Sequence, residues 1–389
     1  MEEWTHKIID KRIILVFLCL QGALISFNIS SIAGIVPAMS GVFGVSDFTM
    51  GRIIVAYMVP YGIAALLYGP LSRIVNAKKL ALFCLSVFST SSLFSGIVSS
   101  FWPLVFSRVI AGIAASAIIP LSLSLIGCLV PYEERGKAVG IFFSITFASS
   151  VTGVFLSGLV DWRWMFFIPA FGSAVVVVLA IVFLPSIERE QNGFKSNYFR
   201  MLFKDEGRGV FAYIFLVAFI YSGIYSWLGV FFVHKFGMNQ LWISLSLTSI
   251  GLGGIVGELT GGILADKKGR ITTATCGVLL LFVTTMGFVY ASSFLVLGLL
   301  LLLHGLAWTI NHSALSTILT DFPSHIRAEA TSLNSSLRFI SGGIGTGVTG
   351  FWVARGFDNT FLVYAFLFML LGIITRIMLR RSTADKVVA

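Results

Sequence analysis

Three ionisable side chains stand deep inside apolar runs of the chain: Arg108, Glu258 and Arg338. A charge at the centre of a membrane-spanning helix costs on the order of 2.5–3.5 kcal/mol on insertion scales, so each must face protein or a wet cavity and find a partner. Counted from the ends of their runs, Glu258 lies about seven residues, roughly 10 Å, and Arg338 about ten residues, roughly 15 Å, from the same membrane face. At those depths the two can meet as an ion pair, either a fixed structural bridge or the charged centre of a binding site. Glu258 is the sole carboxylate placed deep in a span, which makes it the first candidate for a proton carrier, with Arg338 near enough to tune its titration. His304, Trp308 and His312 follow at i, i+4 steps with Asn311 beside them, giving that helix one polar, aromatic face suited to a cavity wall. The two histidines are the alternative proton carriers. Eight apart, they are a weak metal signal, since no carboxylate or cysteine accompanies them in the span. Tyr221 and Tyr225, four apart, fit core packing and substrate stacking equally well. Gln21 and Asn28, seven apart, share a helical face that either packs against neighbours or lines water.

The elements that carry these residues are membrane spans. The 389 residues are 57% hydrophobic and 11% charged, with 36 Phe, and the mean hydropathy is +0.94; a soluble domain would expose far too much apolar surface. With roughly 20 apolar residues needed per spanning helix, the chain accommodates about a dozen. The spans fall near 13–36, 48–70, 80–100, 102–128, 138–160 and 165–184, then 210–232, 241–264, 271–292, 294–319, 330–353 and 361–379. The expected fold is all-α and polytopic, with twelve transmembrane helices in two six-helix bundles. These are an N-terminal bundle, 1–184, and a C-terminal bundle, 210–389, joined by the polar stretch 185–209.

The net charge of +10 does not indicate nucleic acid, because the cations are sorted by membrane side. Lys7, Lys11, Arg12, Arg73, Lys78, Lys79, Arg135, Lys137, the linker cations, Lys267, Lys268, Arg270, Arg327, Arg380, Arg381 and Lys386 share one side, and only Arg52, Arg163, Lys235 and Arg355 take the other. The positive-inside rule puts both termini and the linker in the cytoplasm. The first apolar run is too long for a cleavable signal and reads as the first span. Cys19, Cys84, Cys128 and Cys276 lie inside spans without paired spacing, so neither disulfides nor metal sites are expected.

The halves echo each other. Gly69-Pro70-Leu71-Ser72-Arg73 ends span two and Gly262-Ile263-Leu264-Ala265-Asp266-Lys267-Lys268-Gly269-Arg270 ends span eight, 193 positions later. Pro131 and Pro323, Arg135 and Arg327, Ala138 and Ala330, Gly153 and Gly345, and Gly158 and Gly350 all share an offset of 192. Two similar six-span halves are the signature of a transporter built from parallel repeats, with its substrate site between them near the midplane.

The second loop resembles the G-x-L-a-D-r-x-G-r-k motif of the major facilitator superfamily; the first has Arg73 where the family has Asp and Asn76 where it has Gly. Arg108 to Gly112 is similar to the R-x-x-x-G motif of span four in the drug:proton antiporter branch. Ser149 to Gly158 partly resembles its G-P-x-x-G-G motif, with Val154 in place of Pro, and Asp161-Trp162-Arg163-Trp164-Met165-Phe166-Phe167 looks like the stretch that follows. The resemblance implies an alternating-access transporter whose cavity is lined by spans one, four, seven and ten. It implies gating loops at Gly69, Arg73, Gly262, Asp266, Gly269 and Arg270. Exporters of this branch commonly place an acid in span one, where this chain has Gln21 and Asn28.

The expected function is proton-coupled efflux of a small organic molecule. The alternative on the same fold is transport of an organic anion or metabolite, because two intramembrane arginines outnumber one intramembrane acid. The expected substrate contacts are Gln21, Asn28, Arg108, Tyr221, Tyr225, His304, Trp308, Asn311, His312 and Arg338. An enzyme is not expected, since no HExxH, GxSxG or GxxxxGK[ST] motif occurs. The expected partners are the substrate, protons and the lipid bilayer, with no cofactor, no metal and no nucleic acid. The expected setting is a monomer in a bacterial cytoplasmic membrane.

Overall fold

In hydrocarbon every backbone N–H and C=O must be satisfied within the protein, so long apolar runs fold as helices. The computed structural model describes residues 11–71, 75–130, 132–183, 198–203, 205–322 and 327–380, and the described residues are helices joined by short turns. In order they are α1 (Lys11–Phe43), α2 (Asp47–Met50), α3 (Arg52–Leu71), α4 (Ala77–Ile97), α5 (Phe101–Ala115), α6 (Ile118–Leu129), α7 (Tyr132–Leu156) and α8 (Trp164–Phe183). There follow α9 (Tyr198–Phe203), α10 (Asp205–Tyr225), α11 (Leu228–Phe236), α12 (Gln240–Lys268), α13 (Arg270–Tyr290), α14 (Phe294–Thr320), α15 (Arg327–Val353) and α16 (Phe357–Arg380). Side-chain N-caps start three of the helices where the sequence turns polar: Asn76 accepts from the Lys78 and Lys79 amides, Asn239 from Trp242 and Ser293 from Val296.

Expected span four divides into α5 and α6 at Ser116–Ala117, because Pro120 lacks the N–H that would bond the Ser116 carbonyl. Expected span seven divides into α10 and α11 around Trp227, whose indole Nε1 donates to the Thr346 carbonyl on α15 at 3.0 Å. The span also begins earlier than its composition suggests. Asp205, Glu206 and Arg208 lie in the first turn of α10, inside the expected linker, of which residues 185–197 and 204 lie outside the described ones.

Among the described residues eleven helices are long and apolar enough to cross a membrane by composition. The twelfth, α15, is set apart by Arg338 and by its many Ser, Thr and Gly residues, and its position explains them. It packs between α3 and α10, so its polar atoms meet protein: Ser336 Oγ donates to the Gly62 carbonyl (2.6 Å) and Thr346 Oγ1 shares a hydrogen bond with Ser226 (2.9 Å).

The internal repeat is a repeat of helix contacts. On α7, a Cβ at Gly153 would crowd the Phe27 carbonyl of α1; on α15, one at Gly345 would run into the Phe219 carbonyl of α10. Both members of the pair are displaced by 192. Likewise Gly112 lies against the Tyr57 carbonyl and Gly305 against that of Ile250, both displaced by 193. Small residues let backbones touch, which is how helices associate where no water drives them together. Gly305→Val is therefore expected to force α12 and α14 apart and lower stability by about 1–3 kcal/mol. A thermal-unfolding midpoint equal to that of the parent would show that the contact is slack.

The repeated halves meet along a seam. α3 packs on α15, α1 on α11, and α7 on α12. Gln240 Nε2 reaches the carbonyls of Gly34 (2.9 Å) and Ser157 (3.1 Å), at the end of the molecule away from Lys267, Lys268 and Arg270. The end bearing those three cations is called the basic end below.

Candidate functional site

The polar face of α14 builds one wall of the seam. Trp308 stacks on Tyr221 of α10 with ring centroids 3.7 Å apart and planes 9° from parallel, and Tyr221 continues the stack to Tyr225 at 5.8 Å. The i, i+4 spacing of Tyr221 and Tyr225 lets the stack run on along α10, because residues four apart lie one above another on a helix. Tyr61 of α3 and Phe339 of α15 stack across the seam at 3.9 Å. Neither residue stood out in the sequence, because two long-range partners carry no spacing signal.

At the edge of this wall, His312 Nδ1 lies 3.5 Å from Glu258 Oε2. The side chains remain 36% and 48% exposed, so Glu258 faces open space. One turn away Gly254 stands against Phe147 of α7, which puts Glu258 on the face of α12 turned to the seam. The anticipated Glu258–Arg338 ion pair is not what forms. α12 is pressed on α14, where Gly257 and Gly261 stand against Leu306, Thr309 and Ile310, so the side chain within reach of Glu258 is His312. Arg338 belongs to α15, which packs on α3 and α10.

Arg338 is held by its own helix: Nε donates to Asn334 Oδ1, one turn back, at 2.9 Å. Its Cζ lies 5.5 Å from the Trp308 ring centroid. Nη1 and Nη2 are shut from solvent and have no hydrogen-bond partner among the described residues. An unpaired guanidinium edge in a dry site is costly, and two parallel N–H groups match a carboxylate.

The first half contributes a closed polar cluster. Arg108, 1% exposed, donates from Nη1 to Asn28 Oδ1 (2.9 Å), while Asn28 Nδ2 donates to the Met165 carbonyl (3.0 Å). Tyr57 and Phe166 cover the guanidinium, with centroids 4.3 and 5.5 Å from Cζ. Gln21 is buried, donating to Ser122 Oγ at 2.6 Å. Gln21, Asn28 and Arg108 thus brace α1 against α5, α6 and α8 instead of facing the seam. In the second half His304 and Asn311 are likewise fully buried. His304 Nδ1 meets Thr284 Oγ1 (2.9 Å) behind Tyr221, and Asn311 Nδ2 donates to Tyr213 (2.7 Å) and to the Ala274 carbonyl (2.9 Å). The polar face of α14 is therefore split lengthwise, with His304 and Asn311 on its buried edge and Trp308 and His312 on the more open one. Trp308 and His312 meet the seam, and His304 and Asn311 tie α14 to α13 and α10.

At the basic end the motif is helical rather than a loop. Gly262 and Asp266 lie in the closing turns of α12, and Gly269, with φ +89°, makes the whole connection to α13. Arg270 pairs with Asp321 after α14, so the turn is fastened to the neighbouring connection. Gly69 lies in the last turn of α3, and Arg73, Pro131 and Pro323 lie outside the described residues.

Repeated apolar helices, glycine-mediated crossings and a polar, aromatic wall at the seam define a polytopic membrane protein of the transporter class. The sequence profile of the Major Facilitator Superfamily matches residues 18–346 and 243–388; the chain belongs to that family and is a transporter, not an enzyme. It is 24% identical to the uncharacterized MFS-type transporter YceJ of Bacillus subtilis over 332 residues, 82% of this chain and 83% of the relative. It is 26% identical to Multidrug resistance protein 3 of Bacillus subtilis over 364 residues, 76% of this chain and 70% of the relative. The fold matches that of a bacterial homologue of the human lysosomal transporter Spinster in an inward-facing, unoccupied conformation. There the TM-score is 0.79 at 16% identity, covering 96% of this chain and 98% of the other.

Proposed function

We propose that the chain exports a small organic molecule in exchange for protons by alternating access, with the substrate seated against Trp308, Tyr221 and Tyr225 and the proton carried by Glu258 with His312. The observation that carries this reading is the Glu258–His312 contact of 3.5 Å, a pair of titratable groups half open to the seam beside an aromatic wall. Proton carriers in transporters are acids and histidines placed where one conformation wets them and another pairs them. The multidrug-resistance name of one relative supports efflux.

In this reading residues 1–184 and 210–389 rock as rigid bodies about the seam, tethered by 185–209. The Gln240 contacts to Gly34 and Ser157 at one end, with Glu258 exposed towards the other, support a state open at the basic end. Charge sorting supports a cytoplasmic basic end, in a bacterial inner membrane, with both termini inside. The protein acts as a monomer. An organic anion is the second reading, favoured by the unpartnered Nη1 and Nη2 of Arg338.

Proteoliposomes carrying the full chain and an entrapped pH dye, screened with cationic drugs, sugars and carboxylates, test the coupling. One class is expected to move protons opposite to itself. Substrate flux with no proton movement, in every class that is transported, sinks it. The orientation is tested separately. Asn192→Cys is expected to react with an impermeant thiol reagent only from the cytoplasmic side, and labelling from outside intact cells overturns the assignment.

A further inference from the structure

A cavity of about 270 Å³ opens at the end away from the basic one, and both halves line it. α3 and the turn before it contribute Gly51, Arg52 and Val55; α15 and its end contribute Thr346, Phe351 and Arg355. The floor is Trp227. Its ring fills the space that a Cβ on Gly51 or Gly350 would take, its Nε1 is fixed on Thr346, and Phe48 leans on it at 5.6 Å. The floor is thus a rigid aromatic surface wedged between the halves.

The charges at this end are unevenly satisfied. Arg163 meets Asp161 at 3.5 Å, Lys235 meets Asp358 at 3.2 Å, and His234 lies 3.4 Å from Asp47. Among the described residues only Arg52 and Arg355 have no carboxylate partner there, and they are the two arginines that line the cavity. One belongs to each half, so closing the seam at this end brings like charges to a shared cleft, and an anion between them offsets that repulsion. We propose that this cleft is a binding site for an amphipathic anion. Its carboxylate or phosphate head lies between Arg52 and Arg355, and its apolar body rests on Trp227, Val55 and Phe351. This cleft is distinct from the stack at Trp308, and the proposal stands whatever that stack transports.

The test uses full-length protein carrying Arg338→Gln, to silence the central guanidinium, in phosphatidylcholine nanodiscs. Calorimetric titration with 4-phenylbutyrate is expected to give saturable binding, and the uncharged 4-phenylbutanamide to bind about tenfold more weakly or not at all. Adding Arg52→Gln or Arg355→Gln is expected to weaken the acid by a similar factor. Both side chains are exposed, and the amide comparison needs no further substitution, so misfolding cannot mimic the result. Competition by phosphatidylglycerol in the disc identifies the ligand as a lipid headgroup, and binding without competition identifies a free anion. Equal affinity for acid and amide, or binding untouched by either arginine substitution, overturns the proposal.

Discussion

Glu258→Gln is expected to abolish pH-driven accumulation of substrate while leaving substrate binding measurable. Glutamine preserves the size and hydrogen-bonding edge of the side chain beside His312 but cannot exchange a proton, so the substitution removes titration and little else. In proteoliposomes with an imposed pH gradient, uptake should fall to the level of protein-free vesicles, and equilibrium binding should persist. Glu258→Asp, which keeps the titrating group on a shorter arm, should retain part of the coupling. The half-exposed setting of the pair makes misfolding an unconvincing explanation for any loss. Should Glu258→Gln concentrate substrate at the parental rate, the carboxylate is structural, and coupling lies elsewhere or is absent.

The second large effect separates two arginines that look equivalent in the sequence. Arg338→Gln should cost anionic ligands about 1.5–3 kcal/mol, the worth of a charge-assisted hydrogen bond, or roughly ten- to a hundredfold in affinity. A matched cation should lose nothing and gain if anything. Arg108→Gln should leave both affinities unchanged and instead lower stability by about 1–3 kcal/mol, because it disturbs the buried bond to Asn28 and the cover of Tyr57 and Phe166. Competition binding with a carboxylate and its quaternary-ammonium analogue, alongside thermal unfolding, reads both outcomes. Tighter binding of the cation to the parent protein rules out the anion reading. A change of charge preference in Arg108→Gln would mean that the Arg108 cluster opens to the substrate.

The covered and uncovered faces of α14 show why these assignments needed a structure. His304, Trp308, Asn311 and His312 form one polar run in the sequence, yet only Trp308 and His312 face the seam. The helical period groups residues by direction, but which direction is cavity and which is core depends on where α13 and α10 come to lie. The same limit governed Glu258. Its depth in span eight was countable from the apolar run, whereas its partner depended on Gly257 and Gly261 pressing α12 onto α14 rather than onto α15.

The sequence by itself determined the membrane class, the helical fold, the family and the internal repeat, because each follows from local composition or from a fixed offset that needs no partner to be known. The offset even marked the contacts between helices, since Gly153 and Gly345, and Gly112 and Gly305, are small for the same reason in both halves. Only the tertiary structure decided that Arg108 bonds Asn28 through Nη1, with Nε alone left unpartnered, while Arg338 keeps both terminal nitrogens unpartnered among the described residues. Both arginines carry the same insertion cost on paper. Whether that cost is met inside the protein or left for a ligand depends on which side chains the fold brings alongside, from residues far away in the chain.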